Sequence, residues 1–178
     1  RGLAAGFTFF TFDPGEHVNG LAESMAPSDL RSAFEALPWS DLEDSAASCL
    51  KRWAGRTVDV EGTRIAFDER TAMTAAVKYG RAVAQVVRLQ RHLVAHAPAG
   101  SVEIEVSTDE TETPTSHAEH LYTATELQRL GVRFVSLAPR FVGTFEKGVD
   151  YIGSLEAFER DFAVHAAIAR TLGPYKLS

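Results

Sequence analysis

The chain has 178 residues, 45% of them apolar and 24% charged, with a formal net charge of −6, an ordinary globular composition with length enough to bury a core. No apolar run reaches the roughly 20 residues that cross a bilayer, no secretory leader is legible at the start, and the acidic balance with scattered basic residues argues against a nucleic-acid partner. The lone cysteine, Cys49, allows no internal disulfide and reads as a small buried hydrophobe.

Phe7 to Phe12 alternates Phe and Thr, with Phe10 adding a second apolar face, which predicts a strand buried within a parallel sheet. Asp13-Pro14-Gly15 ends it in a turn. Residues 21–55 read as helical pieces: Ser28-Asp29 caps one that Pro38 terminates, and Ser40 caps the next, closed by Gly55. Thr57 to Phe67 reads as a hairpin turning at Glu61-Gly62. Residues 21–64 therefore look like an insertion within the first βα unit, long enough to serve as a lid or an oligomer contact.

Asp68 or Arg70-Thr71 opens a long helix reaching about Ala97. Ala75, Ala76, Tyr79, Ala82, Val83, Val86, Val87 and Leu93 recur along it at helical spacing. A short strand follows with Val102, Ile104 and Val106 on one face and Glu103 and Glu105 opposite. It runs into a cluster of acids and hydroxyls, Asp109 to Thr113, before Pro114. A helix from about Ser116 to Leu130 is closed by Gly131. Val132 to Leu137 predicts a strand, and a long loop, APRFVGTFEKGVDYIG, comes after it. Ser154 caps a helix carrying Leu155, Phe158, Phe162, Ile168 and Leu172, and Tyr175 to Ser178 begins another strand.

Strands alternating with helices imply parallel strands and crossover helices. The set amounts to about half of an eight-fold (β/α)8 TIM-like barrel, an open doubly wound sheet being the alternative. The barrel is favoured because no glycine-rich dinucleotide fingerprint, Walker A sequence or CxxC pair follows any strand. Arg1 leads almost at once into FTFFTF, and Ser178 falls where a strand begins. Residues 1–178 thus read as a partial barrel cut from a longer chain.

In a barrel the loops after the strands converge on one face, where catalytic groups sit. The first strand brings Asp13, Glu16 and His17 there, the second Asp109 and Glu110, the third Arg140, Lys147 and Asp150. Carboxylates and a histidine suit acid–base work or a divalent metal. Arg140 and Lys147 suit an anionic substrate group, by a planar fork and by a point charge. Against this, Asp13 before Pro14-Gly15 is equally a turn former, His17 equally a surface histidine, and Lys147 the weakest candidate. His117 and His120 flank Glu119 with the spacing of one helix face, compatible with metal ligation, although first-turn histidines are more often simply exposed. His92, His96 and His165 read as structural.

Five blocks carry a more specific signal: FTFFTFDPGEHV, FDERTAMTAAVKYGRA, EVSTDETETPTS, VSLAPRFVGTFEKGVDYIG and ARTLGPYKLS. In this order they resemble the tagaturonate epimerase family. The resemblance covers nearly the whole chain, residues 21–64 being least distinctive. Members of that family are longer at both ends, continuing past KLS into a His-Ser-Gly-rich segment. The resemblance implies a cytoplasmic bacterial enzyme of hexuronate catabolism that interconverts tagaturonate and fructuronate with a divalent metal ion. It also extends to epimerases of uncharged ketohexoses. It points to Asp109 as acid–base residue with Glu110 next, leaves the metal ligands unassigned, and implies that residues 1–178 alone are inactive. The expected partner is a small sugar acid, with a homo-oligomer compatible. A metal-dependent aldolase or ketose isomerase on a similar barrel, and a non-catalytic sugar-acid binding module, stay open as alternatives.

Overall fold

Period-two patterns become strands and 3.6-residue patterns become helices along most of this chain. The structure is a computed structural model and describes residues 2–98, 100–146 and 148–178. In chain order the elements are β1 (Phe9–Phe12), α1 (Pro27–Glu35), α2 (Ala46–Trp53), β2 (Thr57–Val60), β3 (Thr63–Ala66), α3 (Glu69–His96), β4 (Glu103–Thr108), α4 (His117–Arg129), β5 (Ser136–Pro139), α5 (Leu155–Leu172) and β6 (Lys176–Leu177). β1, β4, β5 and β6 form a four-stranded, all-parallel sheet in that order. The fold is α/β, with α3, α4 and α5 as the crossovers between successive strands.

The strand alternation assigns the two faces of the sheet. Ile104, Val106 and Leu137 are buried in a core shared with the helices. The opposite face is polar: Thr11 lies beside Glu105 and Glu105 beside Ser136 in the register. The Glu105 carboxylate accepts the Thr11 hydroxyl at 3.1 Å and the Ser178 hydroxyl at 2.7 Å. β1 departs from its expected two-sided burial. Phe10 and Phe12 pack on the core, while Phe9 lies on the open polar face and is 48% exposed.

Capping explains most helix starts. Asp68 accepts the Thr71 amide, Ser154 the Ala157 amide, and Ser116 and Glu119 make a reciprocal capping box. Two predicted boundaries differ. α2 is capped by Ser45, not Ser40, and α1 starts at Pro27 with no side-chain cap. β5 begins at Ser136, not Val132, because Val132 serves the end of α4. Gly131, at φ 77°, donates to Gln128 and Val132 donates to Leu127, a Schellman closure that buries the Val132 side chain.

The segment 21–66 packs on the helix layer: α1 and α2 on α3, β3 on α4, β2 on α5. Its anchor is the buried Trp53, whose ring lies 4.6 Å from Phe67 and 5.2 Å from Tyr122 and whose indole N–H donates to Glu126 at 2.8 Å. Arg52 and Arg129 also donate to Glu126, at 3.0 and 2.7 Å, so this buried carboxylate is fully partnered. Cys49 is buried beside Tyr122, as its sequence context predicts. Burial, and then the Glu126 charge, push its thiol up to about 11, which leaves it unreactive.

Candidate functional site

The strands β4, β5 and β6 end at a cavity of about 380 Å³ lined by Asp109, Arg140, Phe141, Thr144, Phe158 and Ser178, among others. Asp109 follows β4 directly, and the Ser107 hydroxyl donates to its carboxylate. Arg140 follows β5 directly and is half-buried, and its Nε is a buried donor with no partner. A carboxylate and an under-used guanidinium therefore share one concavity at the C-terminal edge of a parallel sheet, where open α/β sheets and barrels both bind ligands.

Asp13, His17 and Glu110 do not line this cavity. Glu110 is exposed, and its backbone carbonyl packs beside Gly15, so the loops after β1 and β4 meet. Asp13 accepts the Gly15 amide at 2.9 Å, the turn-forming role, and His17 is exposed at the end of a short 3-10 turn. Lys147 lies outside the described residues.

What holds the two loops is Lys78, which the sequence reading passed over. Its side chain is wholly buried in the middle of α3. Its ammonium donates to Glu119 at 3.0 Å, to Glu23 at 2.5 Å and to the Pro114 carbonyl at 3.1 Å, using all three of its protons. Burial pushes the Glu119 carboxyl above its ordinary value, further than Lys78 pulls it down. The next residue, Tyr79, bonds Thr115 Oγ1 at 2.8 Å, and that oxygen also accepts the Arg140 amide at 3.1 Å. Thr115 in turn donates its amide to the Arg140 carbonyl at 2.7 Å. One turn of α3 thus fixes the loop after Asp109 and the backbone of Arg140. The available signal was a lysine inside the apolar run AAVKYG, where a charge is costly unless paired.

The loop beyond Arg140 folds back on itself through paired backbone bonds between Thr144 and Ile152. Tyr151 lies across Gly143, its hydroxyl donating to the Val142 carbonyl at 3.2 Å. Gly143 has φ 85°, and a Cβ there would overlap the Tyr151 ring and hydroxyl. Gly143→Ala is therefore expected to destabilise this wall by about 1–3 kcal/mol. The readout is faster limited proteolysis within 140–153, with cleavage elsewhere unchanged.

Among the described residues one His/Asp group can hold a metal ion: His117, Asp161 and His165, with ligand atoms within 4.8 Å of one another. His117 Nε2 lies 2.9 Å from Asp161 Oδ1, and His165 Nε2 lies 3.5 Å from Asp161 Oδ2. Burial, and then the neighbouring His165, hold His117 below its ordinary value, so it is neutral near pH 7. Burial raises Asp161, but the neighbouring His165 and then His117 outweigh this and leave it below the usual carboxylate range. The group sits between α4 and α5. Phe141, a cavity wall, packs edge-on against His165 with ring centroids 5.3 Å apart. The spacing of HAEH puts both histidines on one helix face, but only packing decides that His117 turns toward α5 while His120 is buried against His165.

The family model for tagaturonate epimerase matches residues 1–178. The tagaturonate/fructuronate epimerase of Thermotoga maritima is 40% identical over 173 residues, 97% of this chain and 34% of the relative. Crystal structures of the fructuronate-tagaturonate epimerase UxaE from Cohnella laeviribosi superpose closely. The form complexed with one glycerol has a TM-score of 0.88 at 36% identity, and the native form 0.82 at 35%, each over 99% of this chain and 35% of theirs. The chain thus spans about a third of the length of the relatives it matches.

Proposed function

From the membership of this chain in the tagaturonate epimerase family, we propose that the protein interconverts tagaturonate and fructuronate and acts in the cytoplasm. Residues 1–178 are then part of a (β/α)8 barrel, with 21–64 as an insertion in its first βα unit. The sequential strand order and the sheet face turned away from the helix layer support this, because barrel strands turn one face inward and carry helices on the other. The single observation that carries the functional reading is Asp109 and Arg140 in one cavity at the strand ends.

In this reading Arg140 binds the substrate carboxylate, its guanidinium matching the two oxygens as a fork. Lys147 adds a second cation, while Asp13 and His17 contact substrate hydroxyls from the adjoining rim. Asp109 moves the proton, with Glu110 beside it. The inverted carbon carries a hydroxyl and lies β to the ketone, so its C–H is not strongly acidified. In a retro-aldol route Asp109 takes the hydroxyl proton, the carbon–carbon bond breaks, and re-addition to the other face of the aldehyde inverts the centre. In direct proton transfer Asp109 works on one face and a second group on the other.

A divalent metal ion is part of the proposal as Lewis acid and template. Among the described residues the cavity offers it the Asp109 carboxylate alone, and the His117–Asp161–His165 group lies behind Phe141. These residues do not make a ligand set facing the substrate, and the steps assigned to this chain are those of its own side chains. Uncharged ketohexoses are secondary substrates in this reading, since they lack the carboxylate that Arg140 matches. Self-association of the protein is compatible with it.

The test is an NMR assay of the whole protein with tagaturonate in deuterated water, with and without chelator. Fructuronate formation that chelator abolishes is the expected result. Deuterium at the inverted carbon favours direct transfer, and its absence favours retro-aldol. Cleavage products or an aldose would replace this reading by an aldolase or isomerase, and binding without turnover by a sugar-acid binding module.

A further inference from the structure

We propose that His117, Asp161 and His165 form a zinc-type metal site between α4 and α5, separate from the cavity that holds Asp109 and Arg140. The inference stands on geometry independent of the epimerase reading. Metal–ligand bonds of about 2.0–2.1 Å at tetrahedral angles put ligand atoms about 3.4 Å apart. The separations to the Asp161 oxygens, 2.9 and 3.5 Å, bracket that value. Two of the atoms facing the gap are orphans: His165 Nε2 and Asp161 Oδ2 are buried without a hydrogen-bond partner, and His165 is wholly inaccessible. A buried polar atom aimed at a carboxylate but not bonded to it is a costly arrangement, and an ion between them satisfies both.

The surroundings are those of a metal ligand. A ligating histidine usually has its other ring nitrogen held by a hydrogen bond, which sets its tautomer. His165 Nδ1 lies 2.8 Å from His120 Nδ1, and His120 Nε2 lies 2.7 Å from the Tyr175 hydroxyl. For His165 Nε2 to offer a lone pair, its proton must sit on Nδ1 and be donated to His120 Nδ1. The His120 proton then sits on Nε2 and is donated to Tyr175. The chain has one other consistent setting, with every proton reversed and His165 Nε2–H facing Asp161. Metal binding selects the first setting.

His117 Nε2 lies within hydrogen-bond distance of Asp161 Oδ1 and, at 3.3 Å, of the Asp161 carbonyl. The neutral His117 ring carries its one proton on Nδ1 when the ion is bound, which leaves the Nε2 lone pair free to ligate. His117 is also the most open of the three, with 32% side-chain exposure, and provides the entry path. Two imidazoles and one carboxylate suit a borderline first-row ion. Calcium and magnesium prefer oxygen ligands in larger number. Helices α4 and α5 meet the ion from opposite sides, so it would clamp the layer behind Phe141.

The test is metal stoichiometry in the whole protein, loaded with Zn²⁺ or Co²⁺ and desalted, for the parent, His117→Gln, Asp161→Asn and, as a control at an exposed histidine, His92→Gln. The expected result is one equivalent fewer per chain in His117→Gln and Asp161→Asn, with His92→Gln retaining the parent count. Tyr175→Phe keeps the site but weakens Co²⁺ binding about tenfold. His117→Gln is the decisive variant because the side chain is part-exposed and its loss leaves the core intact. Its folding is checked by circular dichroism. A folded His117→Gln with the parent's metal count overturns the proposal and leaves a buried His–Asp hydrogen-bond network. A protein inactive on tagaturonate that still loses one equivalent on His117→Gln withdraws the substrate reading and retains the metal site.

Discussion

Lys78→Met lowers the stability of this fold by about 3–5 kcal/mol, the usual consequence of removing one partner from a buried ion pair. Methionine fills much the same volume, so packing is not the cause. The loss falls on what Lys78 leaves behind: the Glu119 carboxylate, 3% exposed, and the Pro114 carbonyl, both deprived of the ammonium that faces them. Glu23 loses the same cation but reaches solvent, its side chain being 46% exposed, and contributes less. Burial raises the Glu23 carboxyl, and the hydrogen bond and charge of Lys78, then the Thr113 hydroxyl, more than offset it, so that value rises again in the variant. Urea unfolding gives the stability change. Amide exchange locates it at the start of α4 and in residues 109–116. Lys78→Met combined with Glu119→Gln should recover a substantial part, because the stranded charge is gone. A double variant no more stable than Lys78→Met alone would contradict the ion-pair account.

Asp109→Asn is expected to lower turnover of tagaturonate about 10²–10⁴-fold, the range for loss of a positioned acid–base group. The substitution preserves shape and removes the proton-accepting charge. The backbone anchors of the loop, through Lys78 and Thr115, do not involve the Asp109 side chain, so the structure around it should hold. KM should change little, since the anion contact is proposed for Arg140. Arg140→Lys separates the roles: it loses the planar fork and should raise KM for the uronate more than it lowers kcat. An Asp109→Asn enzyme with full turnover would remove Asp109 from the chemistry. An Arg140→Lys enzyme with unchanged KM would remove the carboxylate contact.

What was legible in advance followed local rules. The caps at Asp68, Ser116 and Ser154, the hairpin at Glu61-Gly62 and the closing Gly131 are set by backbone demands within a few residues. Alternation in EIEVST assigned the faces of β4 correctly, since side chains on a strand point to opposite sides. Strand–helix alternation gave the parallel sheet, and the ordered motif blocks gave the family. Asp109 and Arg140 come to one cavity because both directly follow strands, and parallel strands carry their ends to one edge.

Tertiary structure alone decided the rest. Lys78 reads in sequence as one charge in an apolar helix, and only the approach of α4 and residue 23 shows it paired from three sides. His120, His165 and Tyr175 belong to three elements, and their hydrogen-bonded chain exists because α4, α5 and β6 pack together. Val132 has the residue type of a strand yet is buried closing a helix, because the Schellman turn leaves it facing the core. Asp13, Glu110 and His17 share a sequence logic with Asp109, but of the four only Asp109 lines the cavity. Local sequence specifies backbone conformation through short-range sterics and hydrogen bonds. Which distant polar atoms share a buried space is settled when helices dock on the sheet and water is excluded from between them.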